Sequence, residues 1–479
     1  MLVVPQLSRR SLIKSASGLG AAGLFAGAAP ADAVPVGRRR VAVLGAGAGG
    51  IATAYFLSGD CDVTLFESRS KVGGHCDSVT MEYKGNPLTV DLGAQFFHPG
   101  THPIYVTLLE ELGLYDPDAP DGDDTIEAPG SVCVYSGDGG LPRFSSTYPL
   151  LTPVKAVDFA IYSQKAREAV LDGISWDVRT EDWIADLPVS DRFKTDVLYP
   201  WIVSLFGSTR ADAARASVRS VLQLYALAFP PTLELLKGAS TWNSSIGLEG
   251  NLRRMLDRSP GARVLVNSPV RGLSYSGGQW TVRTPAGTSG PFDAVVVNAP
   301  PHTSKSFFGD VPWAADIVGL LGEHEYFDVR IALHTDPRYV HDDRAMWAVD
   351  NAEVAGAESE GSIWLGGIHP KLPDGGTVDV FKSWALRRAE EPDDVLFERK
   401  FRHPLITPEV VRATRSLNTL QGRNGLYFSG GYTAGFDLQE TAVYSAMKVA
   451  DALAPSSATL ASLRRRLALR DRSGISYDL

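Results

Sequence analysis

The sequence predicts an α/β fold in which a discontinuous Rossmann-like domain carries an inserted α+β domain. Three observations predict it. An apolar run, a glycine cluster, a helical pattern and an acid follow one another between Val41 and Glu67. Apolar runs of the same kind return far downstream, at Phe292–Val297 and Gly425–Phe428. The long stretches between them read first as helices and later as alternating strands.

Each element of the first block has a physical basis. Val41–Leu44 is a short continuous apolar run, as a buried parallel strand requires. Gly45-Ala46-Gly47-Ala48-Gly49-Gly50 fits G-x-G-x-x-G at Gly45, Gly47 and Gly50. Gly45 permits the tight turn, Gly47 lets the backbone approach a pyrophosphate, and Gly50 lets helix and strand pack. Ile51–Leu57 reads as the helix, with the amides of Ala48 and Gly49 at its phosphate-attracting start. Asp62–Phe66 is a second strand, and Glu67, with Ser68 beside it, falls 22 residues after Gly45. A carboxylate there accepts hydrogen bonds from a ribose diol. With strand, helix and acid in register, the pattern specifies dinucleotide binding.

Later strands are expected at Ala262–Val266 and Gly278–Arg283, and a last helix at Gln439–Leu453. The nucleotide domain is then built from about residues 38–105, 251–300 and 421–455. Of the two insertions, 106–250 is mostly helical by pattern, at Lys155–Ile174, Asp191–Phe206 and Ala216–Ala228, with an acidic loop at Asp116–Gly130. Residues 301–420 alternate strand runs at Val329–Thr335, Ala345–Val349, Ser362–Gly366 and Val378–Trp384. Together the insertions form one substrate domain. Residues 456–479 are a basic tail with Arg464, Arg465, Arg466, Arg470 and Arg472, read as a solvated surface helix in preference to an anionic membrane contact.

Composition narrows the function. The 479 residues carry a net charge of −9; Arg9, Arg10, Lys14 and Asp32 contribute +2, so residues 34–479 carry −11. That balance argues against a nucleic-acid partner. Three cysteines, Cys61, Cys76 and Cys133, give no disulfide framework, and the absence of C-x-x-C pairs and histidine clusters supports no metal site. No nucleophile–His–Asp set or carboxylate pair points to hydrolysis. Residues 1–33 read as a targeting segment: Arg9-Arg10, a Gly/Ala-rich apolar run from Gly18 to Ala29, then Ala31-Asp32-Ala33. The segment resembles a twin-arginine export signal, which moves folded proteins to the periplasm or exterior and makes the export machinery a partner.

Beyond Glu67 the chain resembles the flavin amine oxidase and phytoene desaturase superfamily. Val72-Gly73-Gly74-His75 and Val90-Asp91-Leu92-Gly93-Ala94-Gln95-Phe96 carry the likeness, joined by Asn267-Ser268-Pro269-Val270, Ser429-Gly430-Gly431 and Glu440-Thr441. The resemblance implies FAD. Gly73, Gly74 and His75 then lie by the phosphates, where relatives commonly have arginine at His75. Gly93, Ala94, Gln95 and Phe96 pass close to the flavin, Val270 makes backbone contacts at the adenine, and Gly430 and Gly431 form the turn before the last helix. Glu440 matches the acid at the start of that helix, with Thr441 next to it. Relatives that bind flavin covalently at the C-terminal turn use a cysteine; Gly431-Tyr432 has none, so dissociable FAD is expected. Arg330–Asp336, Phe401–Pro404 and Leu420–Gly422 resemble a subgroup often associated with lipid modification. Leu420–Arg423 through Glu440 and Tyr444-Ser445 also look like bacterial fatty-acid double-bond isomerases.

The same likeness frames the chemistry. No second Rossmann unit for NADPH is apparent, so electrons pass to dioxygen or another external acceptor, or return to the substrate. The first makes an oxidase acting by hydride abstraction on a small or medium hydrophobic substrate. The alternatives are a double-bond isomerase or desaturase of an unsaturated lipid, and a flavin-binding protein without turnover. Family amine oxidases place an aromatic ring two residues before the helix acid; here that position is Leu438, with Phe436 nearby. They also carry a flavin-facing lysine on an inserted strand, and the matching strand offers Arg330, which either holds a water or anion near flavin or sits at a strand edge. Tyr432 and His98 are the remaining catalytic candidates. Phe97 and Trp242 could face substrate, while His334 and His403 read as structural.

Overall fold

The computed structural model describes residues 37–118, 124–230, 239–388 and 390–479. The expected export segment lies outside them.

The glycine block folds as its pattern dictates. Arg39–Leu44 and Cys61–Phe66 are parallel neighbours, and Ala48–Leu57 is the helix between them, nine of its ten residues buried. Such a helix carries apolar residues all round because sheet, Gln439–Leu453 and Gly247–Asp257 enclose it. The central sheet is parallel, ordered Leu426–Phe428, Ala294–Val297, Arg39–Leu44, Cys61–Phe66, Arg263–Leu265. Its strands end together at one edge, where Leu44, Phe66, Val297 and Phe428 lead into loops. In open α/β sheets ligands bind beyond such carboxyl ends.

A second sheet has seven strands, ordered Val395–Leu405, Glu325–His334, Phe381–Trp384, Glu358–Trp364, Asp350–Ala355, Val132–Ser136, Phe144–Ser145. Two of these come from the stretch expected to be mostly helical. The helices Pro153–Leu171 and Tyr199–Phe206 pack over it around Phe193, Trp201 and Phe229. Four expectations need correction. Ala216–Ala228 is not one helix: the short helix Val218–Leu222 and the 3-10 turn Ala226–Ala228 are separated by a turn. Ala345–Val349 is not a strand: Arg344–Met346 is a 3-10 turn, started by Asp343 accepting the Ala345 amide, and the strand begins at Asp350. The acidic stretch read as a loop contains the strand Thr125–Pro129, paired with Ser240–Ser244. The helix expected over Asp191–Phe206 is broken in character by a π turn at Lys194–Leu198.

Residues 456–479 are docked. Ala458–Leu469 buries Leu460, Leu463 and Leu467, and Tyr477 is buried too. Arg464 pairs with Asp451 (2.6 Å), Arg470 with Glu110 (3.2 Å) and Arg472 donates to Thr107 (3.0 Å). No described helix is long and apolar enough to cross a membrane.

Candidate active site

One cavity of about 470 Å³ opens at the carboxyl ends of the central sheet and continues between the seven-stranded sheet and the helices. Glycines make its floor. Gly47, Gly49, Gly73, Gly74, Gly93, Gly430 and Gly431 all line it. A Cβ on Gly49 would strike the Asn298 amide nitrogen (2.5 Å) and Gly430 (3.0 Å), and one on Gly93 would overlap the His75 carbonyl. Gly47 differs: its Cβ would make only ordinary contacts, with Asn298 Oδ1 at 3.4 Å and Gly74 Cα at 3.8 Å. The first amides of the helix at Ala48 have no intrahelical acceptor. A side-chain-free floor with a helix start behind it fits a pyrophosphate, so these residues could hold a dinucleotide.

Asn298, which sequence reasoning left without a role, ties this floor together. Its Nδ2 donates to the Ser429 carbonyl (3.0 Å), joining the ends of two strands beside Gly47 and Gly49. Glu67, Ser68 and Val270 gather elsewhere, at the ends of Cys61–Phe66 and Arg263–Leu265. There the Ser268 amide donates to the Glu67 carbonyl (2.7 Å). The Glu67 carboxylate accepts the Ala46 amide (2.9 Å), the Arg69 amide (2.8 Å) and the Ser68 hydroxyl (3.2 Å). This carboxylate therefore fastens the glycine turn to its own strand. Two carboxylate oxygens offer about four acceptor sites, so after these three bonds about one is left, enough for a single ribose hydroxyl.

The flavin-proximal expectation for Gly93–Phe96 leads to a residue the sequence reading missed. Lys382, fully buried in the strand Phe381–Trp384, donates from Nζ to the Gly93 carbonyl (2.6 Å) and to Gln95 Oε1 (3.2 Å). Gln95 in turn donates to Asn243 Oδ1 (3.0 Å). Burial pushes the ammonium well below its ordinary range, while the Asp91 carboxylate opposes that shift. Lys382 lines the cavity; Arg330 does not. The reason is strand parity. Leu333 and Ile331 stand opposite Lys382 and Trp384, so Arg330 belongs to the other face. There it pairs with Glu391 (2.6 Å) and Glu398 (2.9 Å). The edge alternative for Arg330 is the observed one. Arg330→Ala should leave flavin spectrum and turnover unchanged and shift stability by no more than about 0.5 kcal/mol; a bleached flavin in that variant would contradict this placement.

Other candidates divide. Tyr432 lines the cavity, with its hydroxyl donating to the Val297 carbonyl (2.9 Å). His98 lines it too, but its Nδ1 accepts the Gly100 amide (3.0 Å), and burial pushes the ring down to about 4. A neutral ring spent on its own turn is a structural hydrogen-bonder. His75 lines the cavity and meets Asp437 at 3.3 Å. Phe97 borders the cavity, while Trp242 packs away from it among Phe97, His98 and Tyr115. His403 is on the wall, bonded to the Phe206 carbonyl (3.2 Å), and His334 bonds Ser383 (2.9 Å).

Glu440 and Thr441 are corrected. Neither lines the cavity, although Leu438, Gln439 and Ala442 do. The Glu440 carboxylate turns back to accept the amides of Ile104 (3.0 Å) and Tyr105 (2.7 Å) at the start of the helix Pro103–Leu112, and the Tyr477 hydroxyl (2.9 Å). Burial pushes its pKa up to about 7. The Thr441 hydroxyl donates to the Phe436 carbonyl (3.0 Å). These residues brace the last helix from behind. Cys76 borders the cavity, and burial pushes its thiol far above its usual range, so it stays unreactive.

Known proteins share parts of this sequence or this fold. A Mycobacterium tuberculosis protein named as a flavin-containing monoamine oxidase is 26% identical over 289 residues, 55% of this chain. The match spans 57% of that relative's length. Three solved structures share the fold at 15–16% identity: the CLA-producing fatty acid isomerase from P. acnes, a putrescine oxidase variant, and cyclohexylamine oxidase from Brevibacterium oxydans. Their TM-scores are 0.60, 0.59 and 0.59; they cover 86%, 87% and 87% of this chain, and the match takes in 98%, 98% and 99% of theirs. The family model described as flavin containing amine oxidoreductase matches residues 48–322, from the helix start of the glycine floor into the second insertion. The chain thus belongs to the flavin-containing amine oxidoreductases, a family of FAD-dependent oxidoreductase enzymes.

Proposed function

We propose that the protein is an FAD-dependent oxidase that takes a hydride from a hydrophobic substrate and passes electrons to dioxygen. One observation carries the reading: the same cavity is lined by the glycine floor, by the buried amine of Lys382 and by the apolar helical wall of Phe159, Trp201, Leu205 and Phe229. FAD, when bound, supplies the hydride-accepting ring nitrogen. The chain's own residues exclude water with that aromatic wall, orient the substrate carbon, and hold a proton acceptor at Lys382 Nζ. The cofactor contacts assigned to Gly45–Gly50, Glu67, Gly73–His75, Gly93–Phe96, Val270 and Gly430–Gly431 are part of this proposal. So is dissociable FAD, which denaturation should release completely into the supernatant.

Anaerobic bleaching of the bound flavin against amines, amino acids and unsaturated fatty acids tests it, with hydrogen peroxide appearing once air returns. A shifted double bond at unchanged mass, without oxygen uptake, would replace the oxidase by the isomerase. Glu67→Ala should weaken FAD by about 1.5–3 kcal/mol through loss of a charge-assisted contact; unchanged affinity in a flavin titration would remove the ribose role. The twin arginine supports export of the loaded protein. Replacing Arg9 and Arg10 by lysine should then retain the chain in the cytoplasm, as cell fractionation would show.

A further inference from the structure

The seven-stranded sheet presents one cross-strand row to the cavity: Val132, Asp350, Ile363 and Lys382 stand opposite one another on adjacent strands. Directly paired residues share a face, and all four line the cavity. Asp350 is two strands from Lys382, about 10 Å away at the usual strand spacing. Among the described residues three acids line this cavity. Glu325 is bound by Arg215, and Asp437 by His75. Asp350 alone of the three has no ion pair or side-chain hydrogen bond among the described residues; its backbone belongs to the sheet, with its amide donating to the Ser131 carbonyl (2.9 Å). Lys382 does not compensate it, since the charge acting on that amine is Asp91.

An unpaired carboxylate facing an apolar cavity is costly. Burial alone pushes Asp350 up to about 7. The helical side of the lining contributes the aromatic side chains Phe159, Trp201, Tyr225 and Phe229 among aliphatic ones such as Ile202, Leu205 and Val221. Carboxylate plus aromatic faces is the environment that favours an organic cation. An anionic headgroup would meet repulsion there. We infer that Asp350 anchors a cationic, ammonium-bearing end of the substrate, remote from the end that Lys382 faces. The inference rests on the cavity being the substrate site, and it narrows the substrate class to apolar chains with a distal amine.

The test uses FAD-loaded protein reduced with dithionite under anaerobic conditions, so that binding is read without turnover. Isothermal titration compares α,ω-diamines of four to twelve carbons with the n-alkylamines and α,ω-diols of equal length. The best diamine should bind at least about tenfold more tightly than its monoamine or diol, the range of one charge-assisted contact. In Asp350→Asn, which keeps the side-chain shape, diamine and monoamine should become equal, with flavin occupancy and melting temperature no lower than wild type. Equal affinities in the wild type, a preference that survives in Asp350→Asn, or diols ranking with diamines would each overturn the inference. Bleaching of the oxidised flavin by the same amines is a separate measurement. It reports on the oxidase reading and leaves the binding ratios standing or falling by themselves.

Discussion

Purified Gly47→Val protein is expected to be folded and colourless. Gly47 has ordinary extended dihedrals (φ −80°, ψ −175°), so a valine there carries no backbone strain. Its Cβ would touch no protein atom closer than 3.4 Å. Gly47 lines the cavity, so a valine side chain there intrudes on the floor at the start of the helix. Flavin retention should be lost while circular dichroism stays native. Gly50 makes the contrast, because a Cβ there would overlap the Gly45 carbonyl. Gly50→Val should fail to fold, a loss of fold rather than of cofactor. Wild-type flavin content in soluble Gly47→Val would sink the assignment of the floor.

Lys382→Met should keep its flavin and lose its rate. Methionine matches the lysine stem in length but carries no proton acceptor. If Nζ accepts the substrate proton, flavin reduction in a stopped-flow experiment should slow on the order of 10²–10⁴-fold. The wild type should also show a pH signature. Burial lowers the lysine below its unperturbed pKa of about 10.4. The neutral, proton-accepting amine then forms as pH rises through the lowered value, so the reduction rate should climb with pH and level off. Lys382→Met should lack that ascending limb. A wild-type rate in the variant, or an identical limb, would assign Lys382 to scaffolding for Gly93 and Gln95.

The contrast between Arg330 and Lys382 shows what a single sequence makes legible. The glycine block could be read because turn, helix and acid lie within 27 residues, and the physics linking them is local. The same holds for helices such as Pro153–Leu171, whose pattern spans several turns. Which face of a strand looks into a cavity is set by its neighbours' register, and Arg330 misses the Lys382 face by one position. A signal for Lys382 was present: in the strand run Val378–Trp384 the lysine follows Val380 and Phe381 directly, and a lysine so placed is unusual enough to ask what holds it. Glu440 failed differently. Its carboxylate found two free amides on a helix 335 residues earlier, and nothing in its own neighbourhood reports that partner. Asp350 and Thr125–Pro129 likewise depend on distant strands.

The central sheet has a consequence for how the polypeptide comes together. Its five strands are drawn from Arg39 to Phe428, with the two outer excursions threaded between them. Entropy must be spent closing very long loops before neighbouring strands reward one another, so acquisition of the native state should be slow. A nucleotide bridging Gly47 and Gly430 would act as a clasp between the early and late parts of the polymer. Its mass-action contribution makes heat resistance a function of free cofactor concentration.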